Sequence, residues 1–117
     1  MTLIVKSNNI MYKYKTKVVR WVDGDTLLCL IDLGFYTHKE ERLRLARIDA
    51  PEPRGAEKER GKEVQRIITE RYPPGTELLV ESKKRDNYGR FIAELFYGDE
   101  SVNQWLIDSG NAKEVKY

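Results

Sequence analysis

Along the first third of the chain, apolar and polar positions follow the period of strands. Residues 12–22 are β-branched, aromatic and lysine, which is a strand signal. Asp23-Gly24 marks a tight hairpin turn. Residues 25–33 carry Thr-Leu-Leu-Cys-Leu-Ile-Asp-Leu after Asp25, which predicts a second strand buried on both faces for most of its length. Residues 34–40 read as a longer loop holding Phe35, Tyr36 and His38, with packing of the two rings preferred over a substrate role. Residues 41–48 predict a third strand, and Pro51 terminates it.

The period then changes. Val64, Ile67, Ile68 and Tyr72 fall on one helix face, with Lys58, Glu59, Lys62 and Arg66 on the other. Pro73-Pro74-Gly75 stops that helix. Residues 76–83 and 90–97 predict two more strands, joined by a turn at Arg85-Asp86-Asn87-Tyr88-Gly89. A short last helix follows Gly98-Asp99. Ser101 and Gln104 predict a capping box, Val102, Trp105 and Leu106 its buried stripe, and Gly110 its C′ glycine. Five strands with a helix between the third and fourth is the order of an OB-type barrel, so the expected class is α+β with two to three helices. Residues 1–11 are expected to form a loose arm, and residues 12–117 one domain.

Composition narrows the function only a little. The chain has 117 residues, 40% hydrophobic and 34% charged, as an ordinary globular domain does. Its net charge of +2 permits nucleic-acid binding without pointing to it. Lys13, Lys15 and Lys17 alternate along one strand, and Lys83-Lys84-Arg85 form a short run; solvated faces are the plainer reading, a phosphate-tracking groove the sharper one. Cys29 is the only cysteine and His38 the only histidine, so Cys/His catalysis is disfavoured and a buried thiol is expected. No stretch approaches membrane-spanning length. The opening residues lack a signal-peptide core, so the expected location is cytoplasmic, with a trimmed secreted precursor as the alternative.

Three segments carry chemistry. Val22-Asp23-Gly24-Asp25-Thr26 is a hairpin, and taken alone its Asp25 reads first as a solvated turn residue. Asp49-Ala50-Pro51-Glu52 puts two carboxylates around a proline that stiffens the turn, as a metal ligand or general base requires; two unrelated surface acids is the plain alternative. Asp86-Asn87-Tyr88-Gly89-Arg90 delivers an arginine onto a strand, and an arginine's planar fork suits phosphate.

Taken together, Asp23-Gly24-Asp25-Thr26, then Arg44-Leu45-Ala46-Arg47-Ile48-Asp49-Ala50-Pro51-Glu52, then Asp86-Asn87-Tyr88-Gly89-Arg90, then Val102-Asn103 with Leu106 and Gly110-Asn111-Ala112 resemble the staphylococcal nuclease family. The resemblance covers roughly residues 15–113. It implies Ca²⁺-dependent hydrolysis of phosphodiester bonds in DNA and RNA that leaves 3′-phosphate ends. By the same resemblance Asp25, Asp49 and the carbonyl of Ala50 would hold Ca²⁺, weakly in the absence of nucleic acid. Glu52 would be the general base, and Arg44 and Arg90 would clamp the phosphate. Asn87, Tyr88 and Lys116 would be outer substrate contacts; Asn87 and Lys116 stand where the best-known member has lysine and tyrosine, and Ala50 where it has threonine. A monomer is expected, acting on nucleic acid and not on a membrane. The rival reading is a non-catalytic OB-type nucleic-acid-binding module, which has no use for the paired carboxylates.

Overall fold

A computed structural model of the chain describes residues 12–85 and 90–115. Five long strands make a closed barrel: β1 (Tyr12–Asp23), β2 (Thr26–Gly34), β3 (Thr37–Leu45), β5 (Glu77–Arg85) and β6 (Phe91–Tyr97). They pair in the order β3-β2-β1-β5-β6, and a parallel pairing of β3 with β6 closes the ring. The other barrel pairings are antiparallel. Two short ribbons are added outside it. β4 (Ile48–Asp49) pairs with β8 (Lys113–Glu114), and β7 (Glu100–Ser101) extends β6. Helix α1 (Lys58–Arg71) follows a 3-10 turn at Gly55–Glu57, and α2 (Val102–Asp108) follows β7. The α+β, OB-type order read from the sequence is the observed one.

The core forms where the inward positions of the strands meet one face of each helix. Leu27, Cys29, Leu43, Leu45, Val80, Ala93 and Leu95 come from the strands, Val64, Ile68 and Tyr72 from α1 and the residue after it, and Val102 and Leu106 from α2. Trp21 is buried among them, and its indole N–H donates to the carbonyl of Tyr72 at 3.0 Å. α2 ends as the sequence indicates. Gly110 takes a left-handed φ of 78°, the N–H of Asn111 reaches the carbonyl of Leu106, and that of Gly110 reaches Ile107.

The structure corrects five of the local expectations. Residues 34–40 are not a longer loop: β2 and β3 continue as a ladder down to a turn whose two central residues, Phe35 and Tyr36, have φ of 54° and 58°. Nor do those rings pack, for they are 94% and 102% exposed. The third strand breaks at Ala46-Arg47, with Arg47 at φ 62°, before resuming as β4. β2 is deeply buried only at its start, since after Cys29 every position is partly exposed. Finally, the capping box is half made: Ser101 Oγ accepts from the N–H of Gln104, but the Gln104 amide donates to Asp108 instead of returning to the cap.

Lys13 and Lys17 lie beside Glu81 and Glu77 on β5, at 3.8 and 4.0 Å, which favours the solvated-face reading of that lysine row. Among the described residues no helix is long and apolar enough to cross a membrane.

Candidate active site

Asp25 occupies the β1–β2 turn, yet it is only 8% exposed and is no solvated turn residue. Gly24 makes this burial feasible. A Cβ on Gly24 would lie 2.6 Å from Val64 Cγ1 and 2.8 Å from Ala50 Cβ, so only glycine lets the turn settle onto α1 and onto the segment after β4. There the Asp25 carboxylate accepts from the backbone N–H of Ala50 at 3.0 Å and from the Thr26 hydroxyl at 3.3 Å. The turn is also tied to β3, because the N–H of Leu45 donates to the carbonyl of Asp25.

Arg44 sits opposite Thr26 on β3. Its guanidinium is anchored by backbone: Nη1 donates to the carbonyl of Leu45 and Nη2 to that of Ile48, both at 2.9 Å. Nη2 also lies 3.4 Å from Asp25 Oδ2 and 4.0 Å from Asp49 Oδ1. One nitrogen therefore brings the buried acid and the exposed acid to a common point. A guanidinium has five N–H donors, so Arg44 retains donors for a phosphate after these two backbone bonds.

Burial pushes the Asp25 carboxyl up to about 7, and the neighbouring Asp23 adds to the rise. The N–H of Ala50 and the charge of Arg44 act the other way. A carboxyl raised by burial is one whose charged form any cation reaching it would favour.

Asp49 is exposed at the end of β4, and Ala50 is buried directly after it. Glu52 is exposed. Its backbone is fixed by a contact with α1: a Cβ on Gly61 would stand 2.0 Å from the carbonyl oxygen of Glu52 and 2.4 Å from the nitrogen of Pro53. The chain after Pro51 thus lies directly on the helix. Arg90 immediately precedes β6, whose Ile92 is in register with Arg44 through the parallel β3–β6 pairing.

The structure therefore gathers Asp25, Arg44, Asp49 and Ala50, holds Glu52 three residues beyond Asp49, and enters β6 from Arg90. Asn87, Tyr88 and Lys116 lie outside the described residues. The oxygen donors of Asp25, Asp49 and Ala50 suit a hard divalent cation in kind, and their small number would leave further positions to water and substrate. Among the described residues no three Asp, Glu, His or Cys side chains cluster closely enough to form a fuller set.

Sequence reasoning missed the glycines' part in this arrangement. The signal was there for Gly61, since a glycine inside a helical pattern marks a close approach of another backbone. It also missed Arg47 and Glu94. Arg47 donates through Nε and Nη2 to both carboxylate oxygens of Glu94, at 3.1 and 2.9 Å, and through Nη1 to Gln104 and Glu114. That network ties the turn between β3 and β4 to β6, α2 and β8. Asn103, fully buried, ties the same turn to β6: its amide donates to the carbonyls of Ala46 and Ala93 and accepts from the N–H of Leu95.

Comparison with known proteins gives matches for this frame. The model of the family described as staphylococcal nuclease homologue matches residues 42–117. A succinoglycan biosynthesis protein, ExoI, of Rhizobium meliloti is 36% identical over 78% of this chain and 47% of its own length. A thermonuclease of Staphylococcus hyicus is 32% identical over 86% of this chain and 59% of its own length. An uncharacterized endonuclease of Haemophilus influenzae is 32% identical over 89% of this chain and 54% of its own length. The chain thus spans about half the length of these relatives.

Proposed function

We propose a specific hydrolytic role from one premise: the chain belongs to the staphylococcal nuclease family. The role is Ca²⁺-dependent cleavage of phosphodiester bonds in DNA and RNA, leaving 3′-phosphate ends. The observation that carries it is the convergence of Asp25 and Asp49 on a single nitrogen of a backbone-anchored Arg44. A plain binding module gains nothing from two carboxylates held beside a polyanion, because their repulsion weakens it unless a cation stands between.

In this reading Asp25, Asp49 and the carbonyl of Ala50 hold Ca²⁺. When bound, the ion offsets negative charge on the substrate phosphate. Glu52, set on the stiff turn after Pro51, accepts the proton of the water that attacks phosphorus. The 5′-oxygen leaves and the 3′-oxygen keeps the phosphate. Arg44 and Arg90 donate to the non-bridging oxygens, where charge gathers in the transition state. Because two of its donors are fixed on the carbonyls of Leu45 and Ile48, Arg44 is aimed before substrate arrives and loses little freedom on binding it. The name thermonuclease carried by one relative fits this reading.

The test is a gel. Single-stranded DNA, duplex DNA and RNA are each incubated with the protein in calcium or in chelator. Degradation confined to the calcium lanes supports the reading. Intact, retarded nucleic acid in both lanes replaces it with the binding module.

A further inference from the structure

β4 and β8 form a ribbon in which Asp49 lies directly opposite Lys113. Opposed residues of an antiparallel pair project to the same face, with Cβ atoms about 4.5–5.5 Å apart. Both side chains are exposed, and both line one cleft of about 270 Å³. Glu57, Arg60 and Asn111 complete its polar walls. Arg60 is engaged there: Nη1 holds Glu63 at 3.0 Å, and Nη2 donates to the carbonyl of Gly110 and to Asn111 Oδ1. Lys113, by contrast, makes no ion pair with any described residue.

The ribbon is also held in place. The N–H of Val115 donates to the carbonyl of Arg47 at 2.8 Å, and the Arg47 guanidinium holds Glu114 at 3.2 Å while gripping Glu94 on β6. Lys113 is thus presented beside Asp49 by a braced strand.

We infer that Lys113 binds the phosphate next to the one cleaved, one nucleotide along the same strand. This inference rests on the nuclease reading. If the cleaved phosphate lies at Asp25 and Asp49, the strand leaving it toward β8 enters this cleft, where an ammonium on a flexible four-carbon stem can follow it. Asp49's charge is offset when a cation is bound, which leaves Glu57 as the one other acid on the wall. Lys113 then supplies a phosphate contact at the edge of the site, and the enzyme favours a strand that continues past the cut.

The test measures binding to a short single-stranded oligodeoxynucleotide in calcium by fluorescence anisotropy, with Glu52→Gln in every protein compared so that the strand stays intact. A single neutral methylphosphonate is walked through the oligonucleotide, and each affinity is measured across a salt series. With Lys113 in place, one position is expected to weaken binding about three- to fivefold when neutralised, the worth of an exposed charge pair. Lys113→Gln should abolish that position's effect and lower the count of phosphate contacts in the salt slope by about one, and Lys113→Arg should restore both. An unchanged position profile in Lys113→Gln overturns the inference, and so does an equal loss at every position. That profile with no cleavage by the parent protein in calcium would sink the nuclease reading and leave Lys113 as a phosphate contact with no cut beside it. Failure of the parent protein to bind any oligonucleotide would sink both.

Discussion

Gly61 and the carbonyl of Glu52 are in backbone contact: a methyl group on Gly61 would stand 2.0 Å from that oxygen. Helix propensity alone says that Gly61→Ala should stabilise α1 by about 1 kcal/mol. The contact reverses the sign. Because the obstacle is backbone, relief requires the helix and the turn after Pro51 to separate, a cost of about 1–3 kcal/mol or more. Urea unfolding should therefore show a less stable variant. Its turnover should fall as well, because the displaced turn carries Glu52. A variant more stable than the parent would mean that the turn does not rest on the helix.

Asp25 gives the metal-free protein a pH dependence of definite sign. Its carboxyl is raised by burial to about 7 in the fold, against the usual carboxylate range in the unfolded chain. A carboxyl raised in this way contributes stability that is full below the unfolded value and is lost as pH rises through 7. In chelator, the parent protein should lose more thermal stability than Asp25→Asn between pH 5.5 and pH 8. Calcium at pH 8 should raise the melting temperature of the parent and not of the variant. Parallel pH curves for the two proteins would remove Asp25 from this role.

Arg44 makes two backbone bonds and lies beside two acids, and lysine cannot reproduce that fork. Arg44→Lys should lower turnover by about 10²–10³. It should also destabilise the fold, since the carbonyls of Leu45 and Ile48 lose their donors. Steady-state kinetics together with urea unfolding check both parts. Full activity in the lysine variant would show that a point charge suffices.

The barrel was legible because its strands and α1 bury stripes with periods of two and 3.6, and the caps at Ser101 and Gly110 follow local rules. The β2–β3 turn was not, because Phe35 and Tyr36 hold left-handed positions that ordinarily go to glycine or asparagine. Arg47 hid the break in the third strand for the same reason. Its conformation depends on Glu94, Gln104 and Glu114, the nearest of them 47 residues away along the chain, and nothing local announces them. The residues that meet at Asp25, Arg44 and Asp49 were legible as motifs. What could not be read was that Asp25 is buried, since that depends on Gly24 fitting against Val64 and Ala50.

Glu52→Gln tests the central claim most directly. The substitution is nearly isosteric, removes only the proton acceptor, and falls on an exposed side chain whose loss should not disturb the fold. Calcium-dependent turnover of a defined oligonucleotide and its binding in chelator are measured side by side for the variant and the parent. The expected result is a loss of about 10²–10⁴ in turnover with binding within about twofold, because general-base catalysis acts on the transition state alone. Turnover equal to that of the parent would contradict the account and leave Glu52 as a surface acid.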